Sequence, residues 1–220
     1  MEARLTDIPM KEVLRYLGHD RQAIDSALED QIISCIRSVR ESSRPRLTYT
    51  VLNVHDGVIS GLYLAGNDMK NMLYPCSMAI IMAATLGPEA EALLRRTEVL
   101  NMADALIMDS AQSTAIENVC DNFEAQMRAA YRTEGMFLTD RFSPGYGDLP
   151  LDCQKNIIAL LGAEKRIGLT VTAGNILVPR KSVTCIIGIS ERRQKLERRG
   201  CASCTLNQSC AYRKGGSCRD

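Results

Sequence analysis

Apolar residues recur along this chain at two different spacings, and the spacing predicts the secondary structure. Ile24, Leu28, Ile32 and Ile36 follow one another every four residues, as on one face of an amphipathic helix. Pro45 then ends this helical pattern. The predicted helices cover residues 10–17, 20–40, 67–73, 88–99, 102–132 and 152–165.

Other segments are rich in Thr and β-branched residues, which indicates strands. Residues 47–52 have this composition, and His55-Asp56-Gly57 then forms a turn into residues 58–62. Residues 76–87 are a continuous run of mostly small apolar side chains, which is typical of a buried strand. The sequence therefore predicts a mixed α+β fold with a mainly antiparallel sheet flanked by long helices. The predicted strands lie near residues 47–62, 76–86, 135–140 and 169–189.

The composition is that of one large globular domain with a short appendage. The 220 residues are 45% hydrophobic and 24% charged, and the net charge is +1. The apolar run at 76–87 is too short to cross a bilayer, and the N-terminus lacks the apolar segment of a signal peptide. We therefore expect a cytoplasmic protein that binds no membrane. The expected boundaries are 1–190 for the main domain and 191–220 for a basic, Cys-rich tail.

The tail is basic because residues 191–220 contain eight Lys or Arg and three Asp or Glu. Such a charge suits an acidic partner surface or nucleic acid, although a basic run of this kind is more often a solvated helix. Aromatic residues are not regularly interleaved among these cations, so the tail does not favour a nucleic-acid site.

Four cysteines are concentrated in the tail, in the pattern Cys201-x2-Cys204-x5-Cys210-x7-Cys218. In a cytoplasmic chain such a cluster favours a metal over disulfides, and four thiolates suit zinc or an iron–sulfur cluster. The alternative is a set of free or disulfide-exchanging thiols. The other cysteines lie in apolar patterns and are interpreted as buried small hydrophobes. They are Cys35, Cys76, Cys120, Cys153 and Cys185.

The segment from residue 141 to residue 151 has the composition of a ligand-binding loop. Pro144 fixes the φ angle required at the second position of a tight turn, and Gly145 accepts the positive φ of the third position of a type II turn. Arg141 brings a planar guanidinium suited to a carboxylate, and Tyr146 brings a ring with a polar tip. The plainer interpretation is a turn between a strand and a helix, with Arg141 in a surface ion pair.

The motif Arg-x-Ser-Pro-Gly-Tyr, followed by Leu-Pro-Leu, resembles the S-adenosylmethionine-binding loop of the activation domain of cobalamin-dependent methionine synthase. The chain is most similar to free-standing, single-domain relatives of that domain. Pro179-Arg180-Lys181-Ser182 also resembles this family. One position departs from it: Val183 and Thr184 stand where methionine synthases carry aromatic residues, which implies a weaker contact with adenine.

The resemblance assigns roles to residues of this chain. Arg141 would bind the carboxylate of the methionyl group, and Glu117 would lie opposite, beside the positively charged part of the ligand. The backbone of Ser143, Pro144 and Gly145 would line the donor site, and Tyr146 would face the corrin ring.

Small polar residues line one face of the predicted helix at 102–132, and long charged side chains are scarce among them. This pattern favours a face covered by a ligand or another backbone segment, whereas the alternative is a solvated face. The residues of this face are Ser110, Ser113, Thr114, Glu117 and Asp121.

As a whole, the resemblance implies a methyltransferase component that reactivates a cobalamin enzyme in trans during methionine biosynthesis. Reactivation needs one electron and a methyl group from S-adenosylmethionine. The implied partners are a cobalamin-binding methionine synthase or another corrinoid protein, which carries the cobalamin, and an electron donor such as flavodoxin or ferredoxin. The alternative function is a metal-cluster electron-transfer protein or reductive activator for another corrinoid methyltransferase.

Overall fold

The computed structural model of this protein describes residues 3–19 and 23–193. These residues form a five-stranded antiparallel sheet, with long helices on one face and shorter helices on the other. The helices are α1 (Met10–Tyr16), α2 (Ser26–Ser42), α3 (Asn67–Leu73), α4 (Pro88–Leu100), α5 (Met102–Thr133), α6 (Cys153–Leu161) and α7 (Ala163–Ile167). The strands are β1 (Arg46–His55), β2 (Val58–Ile59), β3 (Met78–Thr85), β4 (Phe137–Leu138), β5 (Thr170–Val171), β6 (Leu177–Val178) and β7 (Ser182–Ser190).

The main sheet has the strand order β2-β1-β3-β7-β4, so β3 lies at its centre. Because successive side chains of a strand point to opposite faces, β3 contributes to two separate cores. Ile80 and Met82 pack with α1, α2, α4 and α5, whereas Ile81 packs with α3, α6 and α7. The continuous apolar run predicted as a buried strand therefore has a simple cause, since both faces of β3 are covered.

Several sequence-based predictions are confirmed. The fold is the predicted mixed α+β arrangement, and the β1–β2 hairpin turns at Asp56 and Gly57, which both have positive φ. The helix predicted at 67–73 has these bounds in the structure. The five cysteines among the described residues are all buried, as predicted, and form no disulfides with one another.

The prediction of one continuous helix at 152–165 is wrong. Gly162 adopts left-handed dihedral angles, φ 56° and ψ 35°, and separates α6 from α7. Glycine commonly ends a helix in this way because it has no Cβ to clash. The predicted inward face is nevertheless confirmed, since Cys153, Ile157, Ile158 and Leu161 are all buried.

The strand content of two segments was also overestimated. The segment at 169–172 does not join the main sheet, because β5 pairs with β6 in a separate two-stranded sheet. The strand predicted at 135–140 is reduced to β4, which pairs two residues with the end of β7.

The predicted tail site lies outside the described residues, since Cys201, Cys204, Cys210 and Cys218 all follow residue 193. The division at residues 190 and 191 stays a prediction. Within residues 3–19 and 23–193, no group of three or more His, Cys, Asp or Glu side chains is arranged to hold a metal ion. None of the helices in the described part of the chain combines the length and the apolar character required to cross a membrane.

Asp148 connects the loop at 143–149 to the start of α3 through hydrogen bonds. Its carboxylate accepts hydrogen bonds from the backbone N–H groups of Asn67, at 2.6 Å, and Asp68, at 3.1 Å. Such a contact satisfies donors that have no partner within the helix. The loop and α3 therefore form one unit, although distant parts of the sequence supply them.

Asp148→Ala is expected to lower the free energy of unfolding by about 1 kcal/mol, because two N–H groups of α3 lose their acceptor. For a chain of this size the melting temperature should fall by roughly 2–4 °C. Asp152→Ala is the matched control, since Asp152 precedes α6 without accepting a side-chain capping bond. Equal melting temperatures for the two variants would contradict the capping role of Asp148.

Candidate functional site

The loop at 143–149 contains the tight turn predicted from Pro144 and Gly145. The Tyr146 N–H donates to the Ser143 carbonyl at 3.1 Å, and Gly145 has a φ of 92°. These values match a type II turn, in which the third residue needs positive φ. Pro144 is buried and Tyr146 is 68% exposed, so the turn is anchored on one side and open on the other.

The residues just before this turn extend the edge of the main sheet. Phe142 forms a pair of backbone hydrogen bonds with Ile186 of β7, at 2.8 and 2.9 Å. Because neighbouring side chains of an extended segment point to opposite faces, Phe142 enters the core beside α3 and α6, whereas Arg141 points towards α5.

Arg141 is held by three carboxylates of α5. Its Nη2 lies 2.6 Å from Asp121 Oδ1 and 3.0 Å from Glu117 Oε2, and its Nε lies 3.2 Å from Glu124 Oε2. These acids are spaced four and three residues apart, so they share one face of the helix. The predicted surface ion pair is thus replaced by a cluster in which the guanidinium is only 19% exposed.

Burial and charge act on Arg141 in opposite directions. Burial by itself would lower the pKa of the guanidinium, but Cys120, Glu117 and Asp121 outweigh burial and raise that pKa above its usual value. Arg141 therefore stays charged at every pH of practical interest. Its Nη1 atom is buried and has no hydrogen-bond acceptor among the described residues.

A cleft of about 280 Å³ opens beside this cluster, between α1, α5 and the turn that joins β6 to β7. Glu117 belongs both to the cleft and to the Arg141 cluster. The lining residues are Tyr16, Ser113, Ile116, Glu117, Arg180, Lys181, Ser182 and Val183.

The two cations of the cleft are held differently. Lys181 is 17% exposed, and its Nζ lies 2.8 Å from both Asp109 Oδ1 and Ser113 Oγ. Arg180 is 49% exposed, and its ion pairs with Glu91 and Glu98 are long, at 3.9 and 3.5 Å. Lys181 therefore supports the wall of the cleft, while Arg180 lies at its rim.

The residues of the polar face predicted on the long helix have different surroundings in the structure. Ser110 and Thr114 are buried, and their hydroxyls donate to backbone carbonyls one turn earlier, at 3.0 and 3.1 Å. Ser113 and Glu117 line the cleft, and Asp121 binds Arg141. The face is thus covered in part by the protein itself and in part opens onto the cleft.

The predicted site residues do not all line one cavity. Glu117 is in the cleft, but Arg141, Ser143, Pro144, Gly145 and Tyr146 are not among its lining residues. The turn and the cleft are neighbours along β7, because Phe142 pairs with Ile186, three residues or about 10 Å from Val183.

Tyr16, Arg180 and Lys181 were not predicted as site residues. Tyr16 lies at the end of a short predicted helix, and nothing in its local pattern indicates that α1 packs beside Ile116. For Lys181 the sequence does contain a signal, because Asp109 and Ser113 are spaced four residues apart on α5 and together hold its ammonium group.

No protein-family profile and no curated protein matches this chain. Among solved structures, the crystal structure of the MetH reactivation domain bound to AdoHcy (S-adenosylhomocysteine) superposes with a TM-score of 0.59. The match covers 79% of this chain and 69% of that chain, at 13% sequence identity. The fold of this chain is similar to that of the MetH reactivation domain. At this level of identity, the likeness to the MetH reactivation domain concerns the arrangement of helices and strands, and it confirms the predicted fold class.

Proposed function

We propose that this chain binds S-adenosylmethionine beside α5 and reactivates a cobalamin-dependent methionine synthase, or another corrinoid protein, in trans. The observation that carries the proposal is the cleft next to the Arg141–Glu117 pair, in a fold shared with a domain whose crystal structure contains AdoHcy. AdoHcy is what remains of S-adenosylmethionine after its methyl group is transferred.

The side chains of the site fit the chemistry of this ligand. S-adenosylmethionine carries a carboxylate, an ammonium group, a sulfonium centre, two ribose hydroxyls and a flat base. Arg141 matches the carboxylate, and Glu117 matches the ammonium or sulfonium charge. At about 280 Å³ the cleft is slightly smaller than typical small-molecule sites, so it holds one part of the ligand while the rest extends along the edge of β7.

For the ligand to bind at Arg141, its carboxylate must replace one of the three carboxylates of α5. Asp121 is the easiest to displace, because it is 51% exposed and contacts Arg141 through a single oxygen. Glu124 is 17% exposed and is also held by Arg128 at 2.6 Å, so it stays in place. Glu117 is 47% exposed and is bound to Arg141 through Oε2 alone, which leaves Oε1 to face a cation.

The turn and Tyr146 complete the proposed site. The backbone of Ser143, Pro144 and Gly145 lines the path from the cleft towards the exposed surface, and Tyr146 at 68% exposure faces the corrin of the partner. The bound ligand would supply an electrophilic methyl group to the cobalt of the partner, after an external donor had reduced that cobalt by one electron, and S-adenosylhomocysteine would be left. The protein contributes orientation and exclusion of water rather than an acid or base.

Glu117→Gln should weaken S-adenosylmethionine binding about tenfold in isothermal calorimetry, because a charge-assisted contact becomes a neutral one. Glu134→Gln, an exposed residue at the end of α5, is the control and should bind as the unmodified protein does. An unmodified protein that binds neither S-adenosylmethionine nor S-adenosylhomocysteine would overturn the proposal.

A separate experiment tests whether this chain reactivates a methionine synthase in trans. The full-length chain is mixed with an inactive Co(II) methionine synthase that lacks its activation domain, together with a reduced flavodoxin or ferredoxin and S-adenosylmethionine. The visible spectrum should change to that of methylcobalamin only when this chain is present. An unchanged spectrum, despite ligand binding, would mean that the partner is a different corrinoid protein or none.

The cysteine pattern of the tail favours a second candidate, a metal-cluster activator of another corrinoid methyltransferase. Cys201, Cys204, Cys210 and Cys218 would hold an iron–sulfur cluster or zinc. Visible absorbance of anaerobically purified protein that disappears in Cys201→Ala and Cys204→Ala would support an electron-transfer role. Absorbance without S-adenosylmethionine binding would favour this candidate over the first.

A further inference from the structure

Tyr16 stands out in the cleft because it comes from the first helix and is the only aromatic side chain among the lining residues. It is the last residue of α1, and α1 packs against α5. The Arg15 guanidinium lies over the Tyr16 ring, 4.3 Å from its centroid. One face of the ring is thus covered by a cation, which fixes its orientation.

Two apolar side chains line the cleft together with Tyr16. Ile116 is 5% exposed, and Val183 is half-buried and packs against the same core. The Lys181 ammonium in the wall is already paired with Asp109 and donates to Ser113, so it needs no anionic ligand. An aromatic ring and two branched aliphatic side chains suit a flat heteroaromatic base.

The Arg141–Glu117 pair provides both signs of charge that an amino-acid group needs, and Glu117 is the lining residue of α5 nearest to the C-terminus of that helix. Ser113 and Ile116 precede Glu117 on α5, and Tyr16 of α1 lines the same cleft. An adenosyl compound can therefore place its charged end at Arg141 and its base against Tyr16.

We propose that Tyr16 forms the base-binding wall of the cleft. This assignment rests on the proposed function and adds the residue that selects a purine nucleoside. Stacking against Tyr16, with Ile116 and Val183 on the other side of the base, holds the adenine while Glu117 and Arg141 hold the amino-acid group.

Tyr16→Leu, made in the full-length chain, is expected to weaken binding of S-adenosylmethionine about tenfold, the usual effect of losing one base-stacking contact. 5′-Methylthioadenosine, which keeps the base but lacks the amino-acid group, should lose the same factor. Glu117→Gln should weaken only S-adenosylmethionine. Calorimetry, with displacement titration for the weaker ligand, measures the affinities of the unmodified protein and of both variants for the two ligands.

The control variants separate stacking from folding. Tyr16→Phe keeps the ring and should bind both ligands within about twofold of the unmodified protein. Tyr74→Leu removes a tyrosine that is 68% exposed at the end of α3 and should have no effect. Melting temperatures of all variants, measured alongside, show that each is folded at the temperature of the titration.

The outcomes distinguish the assignment from the proposed function. If the unmodified protein binds S-adenosylmethionine but Tyr16→Leu binds it equally well, the assignment of Tyr16 is overturned and the proposed function stands. A loss in Tyr16→Leu that affects S-adenosylmethionine but not 5′-methylthioadenosine also overturns it, because the ring would then contact the amino-acid end. If the unmodified protein binds neither ligand, both proposals are overturned.

Discussion

Arg141→Gln is expected to lower the free energy of unfolding by about 2 kcal/mol at neutral pH. The substitution leaves Glu117 and Asp121 without their cation, whereas Glu124 keeps its ion pair with Arg128. Removing one partner from a fully buried ion pair typically costs about 3–5 kcal/mol. The smaller value applies here because Glu117 and Asp121 are 47% and 51% exposed and are solvated by water after the substitution. Urea unfolding of the two proteins measures the difference.

Arg95→Gln is the matched control for this effect. The Arg95–Glu91 pair is equally short, at 2.6 Å, but Arg95 is 68% exposed, so its loss should change stability by less than about 0.5 kcal/mol. Adding Asp121→Asn to Arg141→Gln should recover part of the lost stability, since one unneutralised carboxylate is removed. If Arg141→Gln loses no more stability than Arg95→Gln, the cluster contributes nothing beyond an ordinary surface ion pair.

Under the proposed function, one residue would serve both stability and ligand binding. Carboxylates of α5 bind Nη2 and Nε of Arg141 in the protein alone, and a ligand carboxylate would replace the most exposed of them. The guanidinium is already oriented, so the ligand would not have to order a free side chain. Displacing Asp121 would cost part of the binding free energy, so S-adenosylmethionine would need its second contact region in the cleft.

Local features of the fold could be predicted from the sequence because interactions between neighbouring residues determine them. Asp56-Gly57 forms the turn between β1 and β2, and the run at 76–87 became the central strand. The break at Gly162 was missed because the apolar spacing of residues 152–165 continues through it. β5 was predicted as a strand but placed in the wrong sheet, because its partner β6 has only two residues and leaves almost no periodic pattern.

The candidate site was only partly predictable, for a physical reason. The acids of α5 and the turn at 143–146 were visible as patterns, but their contact depends on the pairing of Phe142 with Ile186, which brings Arg141 over α5. Likewise, Tyr16 reaches the cleft only through the packing of α1 on α5. Contacts between distant segments are set by tertiary packing, and no local rule contains them.

Raising the pH from 7.5 to 10 should lower the free energy of unfolding by about 2 kcal/mol for each of the buried thiols Cys35 and Cys120. Burial raises the pKa of Cys35 to about 11, with a further contribution from Asp104, and burial raises the pKa of Cys120 to about 12 despite the opposing effect of Arg141. In the unfolded chain thiols ionise near about 8.5, so above that pH the unfolded state releases protons that the folded state retains. The stabilisation that the protonated thiols provide is complete below about pH 8.5, and it is lost as the pH rises towards the folded-state pKa of each thiol.

Cys120→Ala isolates one of these contributions. Urea unfolding under reducing conditions should show that this variant loses about 2 kcal/mol less than the unmodified protein between pH 7.5 and 10, because its missing thiol no longer ionises on unfolding. Val119→Ala, the neighbouring buried position on α5, removes apolar volume without a titrating group and should be destabilised equally at both pH values. If Cys120→Ala shows the same alkaline loss as the unmodified protein, then Cys120 makes no contribution and the alkaline sensitivity arises from other titrating groups, such as Cys35.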